Sequence, residues 1–461
     1  MKKIFKSRIF GNKSLPLFRG HFQTFFKSFS LLFLIAGIFP PDLSAGEAWS
    51  LDSCISYAVS HNINVKNRHL NVVTGELDIT EAKDNFLPNV SAGASQSFSF
   101  GRGLTADNMY ANRNTSQFGW SMQMSMPVFQ GLRNVRTLEY AKTNYRQLVE
   151  QWEAAKDDVT LAVIAQYLQV LYYQEIHKVA LQQLELSNIQ LKRQRDLLEA
   201  GKIPELDILQ AEAQVAQDEL TSVTSLNDFD LALLDLAQLL ELDSSEGFFI
   251  MPLSSELEDL PLPSPEFVFQ QALATNHTIL SSRLGVDVAA KYLKLMQSGY
   301  LPSLSFSAGF GSSYYKTSGY ENETFGAQMR HNLSESLGFS LNIPIFDAFS
   351  TRNSIRKAKV QQISAQLQLE DAELQLYKTI KQAHAQAVAA DKRMKSSAIA
   401  EKSTGAALDA MREKYNYGKA NATEFEQAKT SYIQAVSESV QAKYESVLRR
   451  RILQFYYDSS K

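Results

Sequence analysis

The chain has 461 residues, 44% of them hydrophobic, and a formal charge of −3, which leaves room for two or three ordinary domains. Its one cysteine, Cys54, excludes an intramolecular disulfide framework. The charge is unevenly laid out. Residues 1–45 hold seven basic side chains and one acid, so the other residues hold 39 basic and 48 acidic ones, near −9, a poor match for nucleic acid.

The N-terminus combines that basic stretch with one apolar run at 30–39, which ends at Pro40-Pro41 before small residues around Ala45-Gly46. This is the pattern of a secretory signal peptide over 1–45. The apolar run falls short of the roughly 20 residues needed to span a bilayer. Cys54 follows on a helical pattern and is read as a core residue; Asp52, two positions earlier, makes it a poor lipid-anchor site.

Beyond the leader the chain runs through one pattern twice. LDSCISYAVSHN at 51–62 matches PEFVFQQALATN at 265–276, and FLPNVSAG at 86–93 matches YLPSLSFS at 300–307. MPVF at 126–129 matches IPIF at 343–346, and AGK at 200–202 matches YGK at 417–419. The first two pairs are offset by 214 positions and the last two by 217, so one short insertion separates two collinear halves. The expected organisation is a first repeat at 46–250, a linker at 251–264 and a second repeat at 265–461.

Each half contains two proline-framed segments that alternate with period two, which makes a two-faced strand. The strands are expected near 90–101 and 116–127, then 303–314 and 333–344. One face reads Val90, Ala92, Phe98, Phe118, Trp120, Met122 and Met124, then Leu304, Phe306, Leu337 and Phe339; the other is mostly Ser and Gly. Such strands suit a membrane barrel, although a soluble sandwich also alternates. Residues 102–115 and 316–332 are polar and expected as outer loops, with Tyr110, Tyr314, Tyr315 and Phe325 forming either an interfacial girdle or loop packing.

Between these strand pairs lie segments of about 68 residues almost free of Gly and Pro, long enough for helices of ~100 Å. Leu138, Ala141, Tyr145, Leu148, Trp152, Ala155, Val159 and Ala162 mark a heptad seam in the first. The twin seam reads Ile355, Ala358, Gln362, Ala365, Leu369, Ala372, Leu376 and Thr379. Turns at Gly201 and Gly418 lead into return helices, the first with a stripe of Leu206, Leu209, Ala213, Ala216, Leu220 and Val223. The fold class is therefore mainly α with a small β part: duplicated long helical hairpins plus four strands. Four strands cannot close within lipid, because hydrocarbon offers edge N–H and C=O groups no partner and the smallest membrane barrels have about eight. Two or three copies must pool their strands.

The signal peptide, the collinear halves, the strand-to-helix corners at 126–131 and 343–347 and the glycine-turned hairpins together resemble the TolC-like outer-membrane efflux family, over roughly residues 47–457. The resemblance implies a homotrimer with a shared twelve-stranded barrel in the outer membrane, continued through the periplasm as an α-helical barrel. It implies as partners a periplasmic adaptor and an inner-membrane pump, either proton-driven of the RND type or ATP-driven of the ABC type, exporting drugs, small molecules or polypeptides. It places adaptor-contact turns at Gly201, Lys202, Gly418 and Lys419, where the family commonly has an apolar residue after the glycine. Glu424 matches a carboxylate that rings the closed pore, and Gln427 stands where the family has a second one. Tyr415 and Asp207 match a hydrogen-bonded latch between neighbouring hairpins, with Ala420 replacing the cation that supports it. Read without the resemblance, Glu424 and Asp207 are acids in the first turn of a helix, where its dipole favours them.

Other classes fit less well. The seven histidines (21, 61, 69, 177, 277, 331 and 384) have no metal-ligand spacing, and no phosphate-cradling loop or nucleophile elbow is present. No catalytic residue, metal or cofactor is expected. A periplasmic coiled-coil adaptor, or a structural protein without a barrel, would explain the hairpins but not the strands. A nutrient porin would need more strands per chain.

Overall fold

The structure, a computed structural model, describes residues 48–104, 109–112, 114–244, 247–253 and 261–458; the expected signal peptide lies outside them. The first half runs α1 (Leu51–His61), α2 (Ile63–Asp84), β1 (Asn89–Ser99), β2 (Arg102–Leu104), β3 (Tyr110–Asn112), β4 (Thr115–Gln130), α3 (Arg133–Glu199) and α4 (Glu205–Leu239). The second runs α5 (Pro265–Thr275), α6 (His277–Gln297), β5 (Ser303–Thr317), α7 (Phe325–His331), β6 (Ser334–Asn342), α8 (Ser350–Asn416) and α9 (Ala422–Tyr457). The 214 and 217 offsets recur in the starts of these elements, and α3 and α8 are both 67 residues long, about 100 Å.

The repeated sequence landmarks are local folding signals. Asn62 closes α1 and caps α2, its Oδ1 accepting from Asn64 N at 2.9 Å and Val65 N at 3.3 Å. Asn276 does the same between α5 and α6, accepting from Ile279 N at 3.2 Å. After each Pro-framed strand the chain turns into its long helix through two consecutive left-handed residues. These are Gly131 (φ 58°) with Leu132 (φ 63°), and Ala348 (φ 54°) with Phe349 (φ 63°). A Cβ at Gly131 would sit 2.7 Å from Leu301 Cβ, so only glycine fits there, whereas the second half holds the same backbone with an alanine.

Four strands form one antiparallel sheet in the order β1-β4-β5-β6, so the β4–β5 pairing joins the two halves. The register places Val90 beside Met124, Ala92 beside Met122, Met122 beside Phe310, Met126 beside Phe306 and Phe306 beside Phe339. The apolar residues of all four strands therefore share one face, and the Ser and Gly residues share the other. The expected loop at 102–115 instead includes a small hairpin, β2–β3, and the loop at 316–332 contains α7, because β5 runs on past the end of β6. There, amide side chains take the place of a strand. Asn332 Nδ2 donates to Ser313 O (2.7 Å), and Gln328 bonds both Tyr315 N (2.8 Å) and O (2.9 Å). Asn322 bonds both Thr317 N and O at 2.9 Å.

The helices pack as two tiers. Nearer the sheet the neighbours run α2–α3–α6–α8; toward the turns they run α4–α3–α9–α8. Among the described residues no helix is long and apolar enough to cross a membrane. Where the tiers meet, the halves build equivalent cores. Cys54, Ala58, Val65, Val163 and Leu236 are buried in one; Val268, Ala272, Ile279, Ile380 and Leu453 hold the corresponding places in the other. The first core is also tied to the linker. Trp49 forms a parallel bridge with Ile250, and the buried Tyr167 hydroxyl lies 3.0 Å from Trp49 O and 2.6 Å from Met251 O.

Both heptad seams hold as far as Val159 and Leu376 and then shift. Ala162 and Thr379 are exposed, and the next buried residues are Val163 and Ile380, four positions on rather than three. A four-residue step rotates the buried stripe toward α1 and α5, which pack at that level. The return-helix stripe behaves differently from expectation: Leu206 and Leu220 are about 60% exposed (61% and 59%). The buried side of α4 is instead Ile208, Asp218, Ser222, Ser225, Ala232 and Leu236.

Two expectations follow. Burial pushes the Cys54 thiol up to about 12, so at pH 8 only ~10⁻⁴ of it is thiolate. Cys54 should resist maleimide in the folded protein and react on denaturation, as mass spectrometry of the labelled chain would read. Ala348→Gly should stabilise by up to about 1 kcal/mol through relief of left-handed strain, while Gly131→Ala destabilises, both measured as thermal midpoints in detergent.

Candidate functional site at the hairpin turns

Both long helices end in the same way. Ala200 and Tyr417 are the C-caps, followed by left-handed Gly201 (φ 67°) and Gly418 (φ 69°). Lys202 N donates to Leu197 O (2.9 Å) and Lys419 N to Lys414 O (2.8 Å), the six-to-one bond of a Schellman turn. Gly201, Lys202, Gly418 and Lys419 are all exposed at the bends.

The return helices start differently. Pro204 caps α4 without a side-chain bond, and Asp207 N donates to Pro204 O at 3.1 Å. Asn421 caps α9 in a reciprocal box: its Oδ1 accepts from Glu424 N at 2.8 Å, and Glu424 Oε2 accepts from Asn421 N at 3.1 Å. Within the protomer the Glu424 carboxylate is therefore a capping group, and it remains exposed. Gln427 lies one turn further along α9, also exposed.

Tyr415 and Asp207 come together in one cleft between the hairpins, a cavity of about 250 Å³ that Ser187, Gln194, Gln214 and Phe425 also line. The Tyr415 hydroxyl bonds there with Gln194 Nε2 at 3.3 Å, not with Asp207, and its ring stacks on Phe425 with centroids 5.2 Å apart. Arg193 donates to Asn416 Oδ1 beside it, so the C-terminal end of α3 is pinned to that of α8. Glu424 and Gln427 stand outside this cleft.

Above the cleft lies a group that sequence reasoning missed. Lys429 is 1% exposed, and its Nζ is 2.8 Å from Ser187 Oγ, 3.4 Å from Glu426 Oε2 and 3.7 Å from Asp218 Oδ2. The Ser187 hydroxyl donates a hydrogen bond to Asp218 Oδ2, and the same carboxylate also accepts from Gln183 Nε2 (3.2 Å) and Gln214 Nε2 (3.0 Å). The spacing carried a signal. Phe425 and Lys429 are four apart on one side of α9, and Ile208, Ala211, Val215, Asp218 and Ser222 alternate by three and four along α4.

Comparison with known proteins gives this geometry a family. The outer membrane efflux protein family matches twice, at residues 54–241 and 268–455. Outer membrane protein TolC of Escherichia coli is 23% identical over 381 residues, covering 81% of this chain and 74% of its own. Outer membrane efflux protein BepC of Brucella suis is 22% identical over 407 residues, covering 87% and 83%. The solved outer membrane channel CmeC of Campylobacter jejuni has the same fold, with a TM-score of 0.75 at 15% identity over 89% of this chain and 87% of that one. With both repeats matched across most of its length, the chain belongs to the outer membrane efflux protein family.

Proposed function

We propose that this chain is the outer-membrane duct of an export system, assembled from three copies and opened at its hairpin turns. The observation that carries the reading is the sheet: four strands with one continuous apolar face and two outer edges that pair with no other strand among the described residues, mounted on helices of about 100 Å. Such a sheet closes in lipid only by pairing β1 of one copy with β6 of the next, and three copies give a twelve-stranded barrel. The helical flanks support the same assembly. Ile63, Leu70 and Leu77 on α2, with Leu206 and Leu220 on α4, leave one flank apolar and exposed; Val360, Ile363, Leu367 and Leu374 on α8 do so on the other. The family is one of membrane channels and not of enzymes.

A duct without energy coupling of its own needs partners. In this reading a periplasmic adaptor meets the turns at Gly201–Lys202 and Gly418–Lys419, and an inner-membrane pump of the RND or ABC type drives the cargo, small molecules or polypeptides. Three copies of Glu424 would face one another across the closed end, with Gln427 contributing no charge. A carboxylate ring at a constriction favours cations and disfavours anions. The cleft that Tyr415 and Asp207 share would widen on opening, with loss of the Tyr415–Gln194 hydrogen bond.

Purified from membranes in detergent, the protein should run as a trimer and conduct ions in a planar bilayer; a monomer soluble without detergent would sink the reading. Glu424→Gln keeps the helix cap and removes the charge, so it should reduce cation selectivity while Glu424→Ala also loosens the turn. Unchanged selectivity in Glu424→Gln would leave the residue as a cap alone. Gly418→Val places a β-branched residue at a left-handed position, with a strain of about 1–2 kcal/mol at the bend. It should abolish export, read as antibiotic susceptibility, while leaving the amount inserted in the outer membrane unchanged.

A further inference from the structure

The two hairpins share their length and their turns but differ at a buried polar group. Counting across the 217-residue offset, Asp218 corresponds to the buried Ala435, Gln183 to Ala400 and Lys429 to Glu212. Glu212 is a surface residue paired with Arg195 at 2.8 Å. The second hairpin thus buries the small apolar Ala435 where the first carries Asp218, while Ala400, the counterpart of Gln183, is exposed, so a hairpin of this type closes without the polar group. In the first hairpin that group does not serve the hairpin alone: its cation, Lys429, comes from α9, and its anion from α4. The niche holding Lys429 lies between α3 and α4, with Ser187 relaying between the two charges.

We infer that Lys429 is a gating residue, the seat that holds α9 and its Glu424 turn on the first hairpin and that must break for the turns to part. The inference rests on the duct reading above. Lys429 stands five residues, about 7.5 Å along the axis, from Glu424, so displacing one displaces the other. The chemistry suits a reversible latch better than an apolar contact would. A buried ion pair binds only when every partner is in place, since losing one leaves an uncompensated charge. Once apart, Lys429 and Asp218 are each re-solvated, whereas a broken apolar contact would leave bare hydrophobic surface in water. The seat therefore has two discrete arrangements with little favoured in between.

The test uses the full-length protein in detergent and in planar bilayers, with the half-buried Val436→Cys as a probe two turns from Lys429 on the same side of α9 and Cys54 as an internal control in the two-tier core. Lys429→Met and Asp218→Asn should each raise maleimide labelling at position 436 about tenfold or more, the response to destabilising the seated state by roughly 1.4 kcal/mol, and should raise conductance. Cys54 should stay protected. The double variant Lys429→Met with Asp218→Leu removes both charges and should return labelling and conductance toward the parent. Unchanged labelling in the single variants, or a double variant as open as Lys429→Met, would overturn the inference. Loss of Cys54 protection in the single variants would also overturn it, because the pair would then support the whole fold and not the gate. Failure of the duct reading would show separately, as a parent protein that conducts nothing, while the labelling comparison still reports on the seat.

Discussion

Unpaired backbone groups at the edge of a sheet are the constraint from which the rest of this molecule follows. An N–H or C=O without a partner costs several kcal/mol in hydrocarbon, so a strand there must be paired on both sides. Within the protomer β4 and β5 meet that demand and β1 and β6 do not. The demand is also met in miniature beyond the end of β6, where Asn322, Gln328 and Asn332 present amide groups to the bare margin of β5. Side chains suffice over three residue pairs. Along the full length of β1 or β6 only another strand will do, so in the proposed duct assembly is a requirement of the sheet and not an addition to it.

Much of this was legible from the order of residues. The duplication, the strand faces and the glycine turns could be read because each depends on a local rule: alternation, capping chemistry or a left-handed bend. Asn62 and Asn276 stood out as matched landmarks because one residue ends a helix and begins the next. What could not be read depended on which of two plausible stripes faces inward. The strongly apolar stripe of α4, with Leu206 and Leu220, is exposed in the protomer, and the weaker stripe through Asp218, Ser222 and Ser225 is buried. Hydrophobicity ranks stripes by how much they gain from leaving water, without saying whether the partner is the same chain or a copy. In the proposed assembly that ranking inverts inside one copy, and Lys429 with Asp218 disappeared behind it. The Ala348 corner was hidden for a different reason, since alanine gives no hint of a left-handed backbone that surrounding packing imposes.

The two halves also show what duplication preserves. Positions that fill the space between helices keep their character: Val163 with Ile380, Leu236 with Leu453, Ala58 with Ala272. Positions that join one half to the other do not. Tyr167, which fastens the linker to the first core, has His384 as its counterpart, and the Lys429 niche has no second copy. Packing is a property of each repeat, and polar specificity has accumulated where the repeats meet.

The equal length of α3 and α8 has a mechanical meaning. The three-residue difference between the halves falls among the strands, before either long helix begins, so both bends hang at the same depth below their corners. One residue added to or removed from either helix would offset its bend by about 1.5 Å and swing it through roughly 100° about the helix axis. The strand loops can tolerate such changes, but these helices act as matched gauge rods. Insertions in this architecture are therefore free at the far end and forbidden along the shaft.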